Sequence, residues 1–253
     1  MSDYINDIQE SLLAGDVTVI SIIVAVVAVF ITILILICRG SSNKRQGILL
    51  AGLCDSGKTL LYSRLVDNRY VDTHTSIKEN RGIYRLPGSK SHNLRIIDLP
   101  GYERLRNTFL DQYKPLARGI IFVIDSSTVI KEIKEVGEYL YHLLMDSVIS
   151  KNNPPILIVC NKQDQTLAKG AIVVKRLLEK ELDTVRKTQA AALEETSTVH
   201  INNVFLGRRN KEFEFADLKP QKVEFVECSL CSGKDDVDKV DMEEIIIWLD
   251  KTA

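Results

Sequence analysis

The chain has 253 residues, with 33 Lys and Arg against 34 Asp and Glu, so its formal net charge is -1. That balance argues against nucleic acid as a direct partner, because a nucleic-acid face needs a marked basic excess. The five cysteines are too few and scattered for a disulfide framework, and the four histidines too dispersed to suggest a metal cluster.

Residues 1–16 carry Asp3, Asp7, Glu10 and Asp16 but no Lys or Arg. Residues 17–38 are uncharged and almost wholly apolar, rich in Val and Ile. At about 1.5 Å of rise per residue, such a stretch is long enough to cross a bilayer as one helix. Arg39, Lys44 and Arg45 follow directly. This asymmetry predicts a cytoplasmic C-terminal side, with a short lumenal N-terminus. A cleaved signal peptide calls for a basic start, a shorter apolar core and a small-residue cleavage site, whereas here the start is acidic and the apolar core too long. The expectation is an uncleaved transmembrane helix that meets membrane lipid through residues 17–38. Residues 39–46 form a short polar linker, and residues 47–253 make one domain of ordinary size.

The domain opens on a short apolar strand, Ile48 to Ala51, and then runs Gly52-Leu53-Cys54-Asp55-Ser56-Gly57-Lys58-Thr59-Leu60. Gly52, Gly57, Lys58 and Thr59 fit G-x-x-x-x-G-K-[ST], and Lys58 to Val66 reads as a helix. Strand, glycine loop and helix are the context that this motif requires. The glycines let successive N–H groups turn inward onto phosphate oxygens, and the helix N-terminus adds its positive end. Lys58 is placed to reach the β- and γ-phosphates, and the Thr59 hydroxyl to take a Mg²⁺ position. The loop implies a nucleoside triphosphate without choosing the base.

Asp67 to Glu79 is a polar loop. Thr75 is the first candidate there for a second hydroxyl on Mg²⁺, with Thr73 and Ser76 as rivals. Gly82 to Leu86 and Asn93 to Ile97 read as strands joined by a turn over residues 87–91. The second strand runs into Asp98-Leu99-Pro100-Gly101, where Asp98 can hold Mg²⁺ and the Gly101 N–H can bond a γ-phosphate. Leu105 to Tyr113 is a helix. Gly119 to Ile124 is a continuous apolar run, as in a strand buried on both faces. Ile130 to Ile149 has helical spacing. Pro155 to Cys160, another buried strand, runs into Asn161-Lys162-Gln163-Asp164. One Asp164 carboxylate can accept both N1–H and N2–H of guanine, a pair of donors that adenine lacks. Lys162 can lie along the base, and Asn161 can brace the loops.

Ala171 to Ala192 is a charged amphipathic helix whose inner face is Val174, Leu177, Leu178, Leu182 and Val185. Glu194 to Lys222 lacks clear periodicity. Val223 to Cys228 is the last strand, and at its end, in Cys228-Ser229-Leu230, a backbone N–H is placed to bond guanine O6. Cys228 and Cys231 form a C-x-x-C without a second pair, read as a turn after a buried strand. Asp241 with Glu244 predicts a capping box for a final helix that docks through Ile245, Trp248 and Leu249. Strands alternating with helices define an α/β fold: a mostly parallel six-stranded sheet with helices on both faces.

Three loops in this order, each after a strand, resemble the Ras-like GTPases over roughly residues 46–253. The Gly-Leu-x-x-x-Gly-Lys-Thr form leans toward the Arf side of that group. With the N-terminal anchor, Thr75-Ser76-Ile77, Asp98-Leu99-Pro100-Gly101 and a long insert after Asp164, the whole chain resembles the signal recognition particle receptor beta subunits. That resemblance implies a GTP- and Mg²⁺-binding subunit in the endoplasmic reticulum membrane. Its cytoplasmic domain would dock the receptor alpha subunit as a heterodimer in co-translational targeting. It also implies roles in nucleotide or cation binding for Gly52 to Leu60, Thr75, Asp98, Gly101, Asn161, Lys162, Asp164 and Ser229. Tyr102 stands where efficient relatives have a Gln that orients the attacking water, so intrinsic hydrolysis is expected to be slow and no catalytic residue is assigned. An Arf-like trafficking GTPase is the alternative. The transmembrane stretch and the lack of a glycine after Met1 for myristoylation stand against it. A scaffold without nucleotide is disfavoured by the intact Lys58, Thr59, Asp98 and Asp164.

Overall fold

The computed structural model describes residues 21, 24–33, 45–86, 93–196, 205–208, 210–231 and 240–253. The chain divides into a unit Met1–Arg45 and a unit Gln46–Ala253. In the first, residues 24–33 are helical with exposed apolar side chains, Phe30 among them. No helix of the described residues is long and apolar enough to cross a membrane. The rest of the predicted span over residues 17–38, the adjoining linker up to residue 44 and the turn at 87–92 lie outside the described residues.

The second unit carries β1 (Gly47–Ala51), α1 (Lys58–Asp67), β2 (Asn80–Arg85), β3 (Asn93–Asp98), α2 (Glu103–Tyr113) and β4 (Ala117–Asp125). These are followed by α3 (Val129–Met145), α4 (Ser147–Asn152), β5 (Ile156–Asn161), α5 (Ala171–Thr196), β6 (Val223–Glu227) and α6 (Glu243–Thr252). The six strands form one sheet in the order β2-β3-β1-β4-β5-β6. β2 is antiparallel to β3, and every other pairing is parallel. This is the mostly parallel six-stranded α/β sheet that the alternation of elements predicts, and the Ras/Arf-like architecture that the resemblance implies.

Strands β1, β4 and β5 are buried on both faces, which is why they read as unbroken apolar runs rather than alternating ones. Their side chains divide between two cores. One, with Leu49, Phe122, Ile158, Tyr139 and Leu178, lies under α3 and α5. The other, with Ile48, Ile121, Val159, Leu61 and Trp248, lies under α1 and α6. The sheet thereby fixes the carboxyl ends of β1, β3, β4 and β5 along one rim, the place where ligands sit in such folds.

Two local expectations are corrected. The helix predicted over Ile130 to Ile149 is two helices. The chain is extended at Asp146, whose carboxylate accepts the N–H groups of Val148 (2.9 Å) and Ile149 (3.1 Å) and so starts α4. An Asx cap competes with helix continuation, and here it prevails. The predicted capping box at Asp241 does not form either. α6 has Met242 at its cap with no side-chain cap bond, and the Asp241 backbone is engaged with Ser229 across an isolated bridge.

The aperiodic region after α5 is part of the fold in its described portion. Leu206, Phe213 and Phe215 join the core below α5. Phe213, Phe215 and Phe225 stack edge to face at 5.3 and 5.1 Å.

Candidate functional site

The loop between β1 and α1 has the backbone that its glycines allow. Gly52 and Gly57 have φ of 136° and 98°, and Asp55 also lies in the left-handed region at 57°. The glycines are needed for space as well as for conformation. A Cβ on Gly52 would stand 2.2 Å from the Val123 carbonyl oxygen, and one on Gly57 would stand 2.3 Å from Asn161 Nδ2. The loop is thus wedged between the ends of β4 and β5. Asn161 Nδ2 donates to the Ser56 carbonyl at 2.8 Å, the bracing role expected of it. α1 starts at Lys58 with no side-chain cap on its first turn, so its N-terminus faces the cleft with free anion-binding capacity. The cleft is lined by Cys54, Asp55, Gly57, Lys58, Thr59, Thr73, His74, Thr75, Ser76, Leu99 and Gly101.

Lys58 is buried, and its ammonium donates to the Leu53 carbonyl at 2.5 Å. Burial pulls its pKa down, with Asp98 pulling the other way. Asp98 is fully buried at the end of β3. Burial raises its pKa against the hydrogen bonds from Asn80 and Thr59 and the charge of Lys58. Its Oδ2 accepts from Thr59 Oγ1 and from Asn80 Nδ2, both at 2.9 Å. Its Oδ1 is buried without a hydrogen-bond partner. A desolvated carboxylate with one unsatisfied oxygen, beside a threonine hydroxyl, is an oxygen donor set for a hard divalent cation such as Mg²⁺. The Ser76 hydroxyl stands 3.1 Å from Thr59 Oγ1, whereas Thr73 and Thr75 line the cleft without a hydrogen bond to it. Gly101 lies directly on the phosphate loop, where a Cβ would come within 2.7 Å of the Cys54 nitrogen and 2.8 Å of Lys58 Nζ. Tyr102 follows it, half-exposed at the start of α2.

At the other end of the rim, Asp164 is exposed, and its Oδ1 accepts from the Ser229 hydroxyl at 2.7 Å. Of the backbone N–H groups in Cys228-Ser229-Leu230, that of Ser229 meets the Asp241 carbonyl and that of Leu230 meets Asn161 Oδ1, both at 3.4 Å. Ser229 therefore enters this arrangement through its hydroxyl, which orients Asp164. Lys162 has φ of 65°, and its ammonium contacts Asp125 Oδ2 at 2.6 Å. Burial pushes the Asp125 carboxyl up, but Lys162 and the Ser127 O–H and N–H outweigh this and hold it below the ordinary carboxylate range. Sequence reasoning passes over Asp125 and Asn80. Both sit at strand ends facing the motifs, and a carboxylate closing the apolar run of β4 is the one signal available for Asp125.

Among the described residues no group of three or more His, Cys, Asp or Glu side chains is arranged to hold a metal, and Cys54, Cys160, Cys228 and Cys231 are free thiols. Cys228 is buried and Cys231 exposed.

The family profile described as "Signal recognition particle receptor beta subunit" matches residues 43–223. The human signal recognition particle receptor subunit beta is 44% identical over 254 aligned residues, covering 99% of this chain and 92% of that protein. A solved structure of the mammalian SRP receptor superposes with a TM-score of 0.70 at 43% identity, covering 82% of this chain and 100% of that one. The SRb-GTP/SRX complex from Chaetomium thermophilum shares the fold, with a TM-score of 0.62 at 22% identity over 82% of this chain and 98% of that one. Sequence, profile and fold agree over the domain that holds the phosphate loop, Asp98 and Asp164, and the chain belongs to the signal recognition particle receptor beta subunit family.

Proposed function

We propose that this chain is the GTP-binding subunit of the signal recognition particle receptor, held in the endoplasmic reticulum membrane by residues 17–38, with residues 47–253 in the cytoplasm. GTP and Mg²⁺ would bind along the rim described above. There the Gly52–Thr59 loop and the N-terminus of α1 take the phosphates. Thr59 and Asp98 take the cation, and Asp164 takes the guanine edge. Ser76 is the favoured second hydroxyl toward the cation, because it already meets Thr59. The bound cation would offset negative charge on the β- and γ-phosphates. The observation that carries this reading is Asp98 Oδ1, buried and unsatisfied beside Thr59 at the mouth of an uncapped helix.

Lys58 now bonds the Leu53 carbonyl and Gly101 lies against the loop, so for Lys58 to reach a triphosphate it would leave that carbonyl and Gly101 would part from the loop. That displacement moves Tyr102 and α2. Near it, the side chains of Ile77 and Tyr102 are 75% and 49% exposed, apolar surface suited to a protein partner. The partner is the receptor alpha subunit, as the complex of the fungal relative with SRX suggests. The test is competition for fluorescent GTP on the full chain in detergent. GTP and GDP should compete and ATP should not, and the alpha subunit should be retained only with GTP. Equal competition by ATP would sink the base assignment.

Tyr102 should keep hydrolysis slow, because a phenol carries its donor and its acceptor on one oxygen, whereas an amide presents them on separate atoms that can hold an attacking water between them. Tyr102→Gln is expected to raise the single-turnover rate about tenfold or more. Its exposed side chain leaves the fold unaffected by the change, so an unaltered rate would mean that water positioning is not the limit.

A further inference from the structure

The nucleotide reading leaves one carboxylate at the rim without a role. Asp125 is the last residue of β4 and stands opposite Asn161 in the β4–β5 register. It is only 8% exposed. Its Oδ1 accepts the Ser127 N–H at 2.8 Å and the Ser127 O–H at 2.6 Å, so the carboxylate is fixed in orientation. Its Oδ2 takes the Lys162 ammonium at 2.6 Å. The surrounding backbone is tied down as well. The Ser126 N–H donates to the Asn161 carbonyl at 3.1 Å, and the Lys169 N–H donates to the Ser126 carbonyl at 2.9 Å. Lys162 itself leaves β5 in a left-handed conformation, with φ of 65°.

The lysine is thus held at both ends, its Cα by the loop and its ammonium by Asp125. An unpinned lysine would surrender rotamer freedom when a ligand arrived, whereas this one has already given it up. Its four-carbon stem, stretched between two fixed points two residues before Asp164, is an apolar rail for a planar ring, with the charge kept at the far end. We propose that Asp125 is a positioning residue of the base site, which stretches Lys162 into a fixed support for the face of the purine. The proposal rests on the Asp164 loop being the base site. The bland alternative is an ion pair that only closes the ends of β4 and β5.

A double-mutant cycle on the full chain separates the two, with fluorescent GDP and GTP as probes. Asp125→Asn should weaken both nucleotides by the same factor, about tenfold. The contact is to the base, so the change should be indifferent to the third phosphate and to Mg²⁺ concentration. Lys162→Ala should weaken binding to a similar extent, and the double variant should be no weaker than Lys162→Ala alone. Ser127→Ala, which frees the carboxylate to turn without removing it, should give a smaller loss of the same kind. This milder change serves if Asp125→Asn does not fold. Three results would overturn the proposal: unchanged affinity in the folded Asp125 or Ser127 variant, a loss confined to GTP, or a loss that persists in full in the Lys162→Ala background. If the unaltered chain took ATP as well as GTP, the guanine reading of Asp164 would fall. The cycle, run with either purine nucleotide, would still decide the role of Asp125.

Discussion

Asp164→Asn should cut GTP and GDP affinity by about a hundredfold or more and transfer preference to xanthine nucleotides. The native carboxylate is exposed at the rim and held by the Ser229 hydroxyl at 2.7 Å on Oδ1. It offers two acceptor oxygens to the two donors on the guanine edge, a charge-assisted bidentate pair. The amide keeps one acceptor and brings a donor against the N2–H group. One hydrogen bond is lost and two donors confront each other in a site closed by ligand. Polar mismatches of this kind cost roughly 3 kcal/mol or more, which is the stated hundredfold. Xanthine carries an oxygen where guanine has its amino group, so the same amide donor then finds an acceptor. The measurement is competition for fluorescent GTP and xanthosine triphosphate by both chains. The substitution removes no buried contact, so the melting temperature should stay put. A variant that keeps wild-type GTP affinity would show that Asp164 does not read the base.

The parts of this site that were legible in sequence are those in which one residue type has no substitute. Gly52 and Gly57 had to be glycine because a Cβ would strike Val123 and Asn161 at about 2.2–2.3 Å. Such constraints leave a spelled motif. Strands β4 and β5 were legible because burial on both faces forces an unbroken apolar run. Less legible were features decided by tertiary partners. Asp125 and Lys162 are 37 positions apart in sequence and meet only because β4 and β5 are neighbours. Asp146 falls inside the run Ile130 to Ile149 whose spacing reads as one helix. Only in the fold does its carboxylate also receive Lys114 Nζ, at 2.6 Å, so that capping α4 wins over helix continuation. Asp241 had the right residue types for a capping box, but its backbone was claimed by Ser229 from the base-site loop. In each case local propensity was outweighed by a contact between segments distant in sequence, which periodicity does not record.

Arg186→Ala should cost about 3–5 kcal/mol of stability, the figure for stripping a buried, fully paired charge from its partners. On a domain of this size that lowers the melting temperature by on the order of 10 °C. α5 reads as a charged amphipathic helix with an apolar inner face that does not include Arg186, yet Arg186 is 1% exposed. Its guanidinium is used in full. Nη1 donates to the carbonyls of Leu206 (3.0 Å) and Arg208 (3.1 Å), Nη2 to the Lys211 carbonyl, and Nε to Asp183 Oδ1 at 2.9 Å. Phe205 and Phe213 lie 4.9 and 5.7 Å from its carbon, in cation–π range. One side chain thereby anchors Leu206, Arg208 and Lys211 by their carbonyls, which ties a stretch without periodicity to α5. Alanine would strip the carbonyls of Leu206, Arg208 and Lys211 of this donor at once, leave Asp183 with only Lys187 and the Phe213 N–H, and open a void beneath two rings. Arg186→Lys should recover only a small part, because an ammonium cannot fork to three carbonyls and a carboxylate in one plane. Thermal unfolding gives the size of the effect, and limited proteolysis gives its place, with cleavage expected first between residues 205 and 221. Nucleotide affinity should change little, since neither Arg186 nor any of its hydrogen-bond partners lines the cleft. Unaltered melting, or cleavage elsewhere first, would mean that the aromatic stack of Phe213, Phe215 and Phe225 holds the segment without the arginine.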